Sequence, residues 1–148
     1  MEKYSQTPFH TWQSYCNVVY FIMNSYYSRW FSKWAKKAKL DDSDLNCAIT
    51  NLIEGKGVVD LGGNIFKLRI ASKNKGKRGS YRSIIVYKEE ARIIFISAFA
   101  KNEKSNLSKA ELIDIKDTAK SLISFSDEEF QILVDRKSFF EITREKYE

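Results

Sequence analysis

One proline, six glycines, two cysteines and a single histidine among 148 residues exclude several classes of protein at once. So little proline and glycine argues against a fibrous or low-complexity chain, and 43% hydrophobic with 30% charged residues is an ordinary globular balance. Cys16 and Cys47 are too few and too poorly spaced for a disulfide framework or a zinc site, which suits a reducing compartment. His10 has no Cys, Asp or Glu cluster near it at metal-ligand spacing, so no metal and no cofactor are expected. Apolar runs stay well short of the roughly 20 residues that span a bilayer. The stretch CNVVYFIM, Cys16 to Met23, also lacks the basic start and small-residue cleavage site of an export signal. A cytoplasmic protein without a membrane partner is expected.

Acidic residues are missing altogether from one stretch. Between Lys67 and Arg82 the chain carries Lys67, Arg69, Lys73, Lys75, Lys77, Arg78 and Arg82 with no carboxylate, and these seven exceed the net charge of +6 on the whole molecule. The segment from Ser124 to Glu148 is net acidic by contrast. A local cationic stripe on an otherwise balanced chain points to phosphate recognition rather than to general adhesiveness.

The length suits one domain with one core. A clean amphipathic pattern begins only after Met23, so residues 1–22 are expected to be an extension and residues 23–148 the domain. Tyr27, Trp30, Phe31, Trp34, Ala35 and Ala38 recur at helical spacing with Arg29, Lys33, Lys36 and Lys37 between them, which predicts a short strand running into a basic-backed helix. Aromatics at this spacing form a core more often than a base-stacking platform. Asp41, Asp42 and Ser43 offer caps to a second helix built on Leu45, Ile49, Leu52 and Ile53 and stopped by Gly55.

Past Gly63 the period changes to two. Phe66, Leu68 and Ile70 lie on one face of a strand and Lys67 and Arg69 on the other, so one face is expected to pack on the helices and the other to be cationic. A turn-rich loop, Ser72 to Ser80, leads to a strand at Tyr81 to Tyr87, and RIIFISAFA, Arg92 to Ala100, is hydrophobic enough to be central. Ser108–Glu111 and Ser126–Glu129 each spell a capping box ahead of a helix. The expected fold is α+β: N-terminal helices packed on an antiparallel sheet, made of a three-strand meander plus a short N-terminal strand, with C-terminal helices.

Five stretches in this order resemble the RelE/HigB-type toxins of bacterial type II toxin-antitoxin systems: RWFSKWAKKAKL, DLGGNIFKLRIA, GKRGSYRSIIVY, FAKNEKSNLSKAEL and FSDEEFQILVDRKSFFEI. The resemblance covers roughly residues 24–144. It implies a RelE-like toxin that cleaves mRNA at the ribosome and is silenced by a co-encoded antitoxin of helix-turn-helix type, touching operator DNA only through that antitoxin. Relatives on this fold that inhibit protein targets such as gyrase, or a chain that only binds nucleic acid beside its antitoxin, are the alternatives. Loss of the cationic face would favour them, and this sequence keeps it.

RNA carries its own nucleophile, the 2′-hydroxyl, so cleavage needs cations for the charge on the phosphorane and groups that move a proton. Lysine and arginine serve both purposes. Alternation puts Lys67 and Arg69 on one face of their strand, and Arg82 on the next strand reaches that face if the hairpin is in register; the three are nominated as a phosphate clamp, with Lys101 and Glu103 as candidates for proton transfer. Lys73, Lys75, Lys77 and Arg78 in the loop are expected to grip RNA or the ribosome. Family members often place a Tyr or His late in the chain as a catalytic group, and Tyr81 and Tyr87 are the alternatives here.

Overall fold

The computed structural model describes residues 24–71, 80–89, 91–104 and 106–143. The extension 1–22 and the loop cations Lys73, Lys75, Lys77 and Arg78 lie outside the described residues. Strand β1 (Asn24–Ser28) runs directly into α1 (Arg29–Ala38), followed by α2 (Asp42–Glu54), β2 (Val58–Gly62) and β3 (Ile65–Ala71). Strands β4 (Ser80–Lys88) and β5 (Arg92–Ala100), helices α3 (Lys109–Ser124) and α4 (Asp127–Asp135), and strand β6 (Phe139–Glu141) complete the order.

The α+β class is as expected, but the sheet is larger and mixed. It has six strands in the order β2-β3-β4-β5-β1-β6. The antiparallel meander runs through four strands, β2 to β5, rather than three. The N-terminal strand β1 pairs parallel with β5, and β6 returns antiparallel to β1. Parallel pairing needs a long connection, which the chain from α1 to β4 supplies between β1 and β5. β2 and β6 are short edge strands whose sequences, VVDLG and FFE, are too brief and too mixed to show a period.

Local chemistry fixes the helix ends. The Ser28 hydroxyl accepts from the Phe31 amide and starts α1, and Lys39 in a left-handed conformation stops it. Reciprocal capping boxes at Asp41/Asp44, Ser108/Glu111 and Ser126/Glu129 open α2, α3 and α4.

Helices pack on both faces of the sheet, so the face that carries the cations is also partly covered. On the first face Phe31, Ala35, Leu45 and Ile49 from α1 and α2 meet Leu68, Ile70, Tyr81, Ile85, Ile93 and Phe95. On the second, Ala119 and Leu122 of α3 and Phe130 of α4 meet Ile65, Ile84, Val86, Ile94 and Phe99. Burial on both sides explains why β5 reads as a nearly continuous apolar run, interrupted only by Ser97 after Arg92.

β5 also changes phase part-way. Ile84 pairs with Ser97 and Ile85 with Phe95, so Ile96 is the extra residue of a bulge. The Ser28 hydroxyl donates to the Ile96 carbonyl at 3.2 Å, tying the start of α1 to the bulge. Phe95 and Phe99, four residues apart, consequently lie on opposite faces.

Candidate functional site

Register assembles the three sequence-nominated cations. Arg69 on β3 stands directly opposite Arg82 on β4, and Lys67 stands opposite Ile84. Alternation places Lys67 and Arg69 on the second face with Ile65, and Arg82 on that same face with Ile84. Arg82 is in turn the register partner of Phe99, which the bulge has brought to this side. The patch has cationic heads above an apolar floor of Ile84 and Phe99, both buried.

Like charges directly opposite on neighbouring strands destabilise a sheet. Among the described residues, neither Arg69 nor Arg82 forms an ion pair with a carboxylate. Arg69 is exposed and Arg82 half-buried, so both remain open to a ligand from solution. A phosphate between two such guanidinium groups would remove the repulsion and satisfy both.

The rim comes from the connection between β5 and α3. Lys104 lies over the Phe99 ring, 5.1 Å from its centroid, and is ion-paired with Glu111. Glu111 also accepts from the Ser108 amide at 2.9 Å. The Lys104 hydrogen bond first, and the Ser108 amide second, pull the Glu111 carboxyl down to about 2 from an ordinary 4.5. Two residues beyond Lys104, the Asn106 Oδ1 accepts from Lys67 Nζ at 2.7 Å. Sequence reasoning passed over Lys104 and Asn106, because neither lies on a periodic element that assigns it a face.

Lys101 and Glu103 are exposed in the turn that ends β5. The Glu103 amide donates to the Ala100 carbonyl at 3.0 Å, which holds the turn beside the patch. Tyr81 and Tyr87 are corrected: both lie on the first face, Tyr81 edge-on to Trp34 with ring centroids 5.0 Å apart and Tyr87 against Phe66 at 6.0 Å. Alternation that turns Arg82 one way turns Tyr81 the other. The aromatics of α1 are chiefly core, as expected, with Phe31 fully buried, although Trp30 is 52% exposed.

No group of three or more His, Cys, Asp and Glu that could hold a metal ion occurs among the described residues. Within the same residues, no helix is long and apolar enough to cross a membrane. In comparison with known families, the model described as the RelE toxin of the RelE/RelB toxin-antitoxin system matches residues 23–142. The comparison with curated proteins gave no match.

Proposed function

The chain belongs to the RelE family of toxins of toxin-antitoxin systems, which implies a cognate antitoxin as partner, and from that premise we propose that it is a ribosome-dependent mRNA endonuclease. The observation that carries the proposal is the opposed Arg69–Arg82 pair, open to solution beside Lys67 on one face. In the proposed reaction the 2′-oxygen attacks the adjacent phosphorus, the bond to the 5′-oxygen breaks, and the products are a 2′,3′-cyclic phosphate and a 5′-hydroxyl. Arg69 and Arg82 hold the non-bridging oxygens, whose charge grows in the phosphorane. Lys67 supplies a third cation from the same strand as Arg69.

Lys101 and Glu103 stay as the candidates for moving the proton off the 2′-hydroxyl and onto the leaving oxygen. Lys73, Lys75, Lys77 and Arg78 are proposed to grip RNA or the ribosome, by charge alone. The working compartment is the cytoplasm, where translating ribosomes are, the antitoxin is taken to be of helix-turn-helix type, and the domain is taken as residues 23–148.

Induction of the chain should arrest growth, with relief by the antitoxin, and primer extension should find new 5′ ends inside translated reading frames. Growth arrest with every message intact would instead point to inhibition of a protein target, and the endonuclease reading would fall.

A further inference from the structure

Two lysines reach the rim of the cationic patch, and they are held in opposite ways. Lys104 is paired with Glu111, a carboxylate kept ionised throughout the working range, so its charge is largely cancelled. Lys67 is held by Asn106, whose Oδ1 accepts from its ammonium across 39 positions of sequence. Its register partners on the sheet, Val59 on β2 and Ile84 on β4, have no acceptor side chain. Asn106 directly precedes Leu107 and the Ser108 cap, so its backbone is set by the start of α3.

A carboxylate in place of Asn106 would hold the lysine at least as firmly, but it would compete with phosphate for the ammonium. A carboxamide orients the same group and leaves its full charge available to a ligand. We propose that Asn106 is a positioning residue for RNA cleavage, which fixes the Lys67 ammonium toward the scissile phosphate through a neutral acceptor and so orients it without neutralising it. This rests on the endonuclease reading above and goes beyond it in assigning a role to a residue outside the clamp.

The test exploits an isostere. Single-turnover cleavage of ribosome-bound mRNA at saturating protein is compared for wild type, Asn106→Ala, Asn106→Asp and Lys67→Ala, with thermal melting of each. Asn106→Ala loses the orientation and should slow cleavage roughly 10- to 100-fold. Asn106→Asp keeps the acceptor but cancels the charge, and should slow cleavage further, roughly 100- to 1000-fold, as when one charge-stabilising donor is lost. Its melting temperature should nevertheless equal or exceed that of wild type. If Asn106 merely tied the β5–α3 connection to the sheet, the order would reverse, with Asp as active as wild type and Ala the weaker. That order, or a wild-type rate in both variants, overturns the inference. Should Lys67→Ala be slow while both Asn106 variants cleave normally, this inference alone falls. If Lys67→Ala also cleaves normally, the place of Lys67 in the clamp falls with it.

Discussion

Glu111 does three things at one position: it closes the capping box of α3, anchors Lys104 above Phe99, and sets the edge of the cationic patch. Its folded carboxyl titrates at about 2 instead of 4.5, so it binds protons more weakly in the folded chain than in the unfolded one. The stability it contributes is therefore complete above 4.5, declines as the unfolded carboxyl protonates, and is gone once the pH falls through about 2. Melting curves of wild type and Glu111→Gln should differ by a constant gap at neutral pH, begin to converge below 4.5 and meet at about 2. A gap already closed at 4.5 would mean that Lys104 and the Ser108 amide do not hold the carboxylate. At this scale the sequence showed what alternation can show. A two-residue period puts Lys67 and Arg69 on one face, the register of β3 with β4 adds Arg82, and the capping boxes were legible because they too are local. Lys104 and Asn106 were not legible, because their positions depend on where α3 docks across the sheet.

Besides their apolar packing, helices α3 and α4 are tied to β5 by the hydrogen bonds of one buried side chain. Arg92, 2% exposed, donates to the Leu122 carbonyl at 3.0 Å and to the Phe125 carbonyl at 3.2 Å, and its guanidinium lies 4.5 Å from the centre of the Phe130 ring. Its Nη2 also reaches Asp127 Oδ1 at 2.9 Å, although the Asp127 side chain is 85% exposed. The two kinds of contact should separate on mutation. Arg92→Ala strands the Leu122 carbonyl, leaves the Phe125 carbonyl with Lys88 alone and empties the space on Phe130, for a loss of about 2–4 kcal/mol. Asp127→Asn removes only the solvent-exposed half of an ion pair, for about 0–1 kcal/mol. Denaturant titration of both variants checks the order; equal losses would place the stabilisation in the ion pair instead of in the helix end. Helix positions and the central place of β5 could be read from periodicity and apolar content. The edge strands β2 and β6 could not, being short and mixed, and neither could the Ile96 bulge, since an apolar run that is buried on both faces looks the same in either phase.

At the scale of the whole molecule, the two faces of the sheet are used differently. The first face is filled by α1 and α2, and the chain's return through Ile142 and Thr143 is fastened by Ile142 donating to Ser25 and by Asn46 donating to the Thr143 carbonyl at 2.7 Å. The second face is filled by α3 and α4 on one part, which leaves Lys67, Arg69 and Arg82 on the rest. The parallel joining of β1 to β5 was not legible in the sequence, because non-local pairing leaves no local period. The central claim is that a metal-independent cationic clamp, centred on the opposed arginines, stabilises the phosphorane. The measurement that tests it most directly is the single-turnover cleavage rate of ribosome-bound mRNA by wild type, Arg82→Ala and Lys75→Ala, with the chemical form of the new 3′ end determined. The new end should be a 2′,3′-cyclic phosphate, and Arg82→Ala should raise the barrier by about 2–4 kcal/mol, as for loss of one charge-stabilising donor. Folding stability should change by roughly 0.5 kcal/mol or less. Lys75→Ala should cleave normally once bound and flatten the salt dependence of association by roughly one counterion's worth. A wild-type rate in Arg82→Ala, or cleavage that requires a divalent metal beyond the ribosome's own need, would contradict the account.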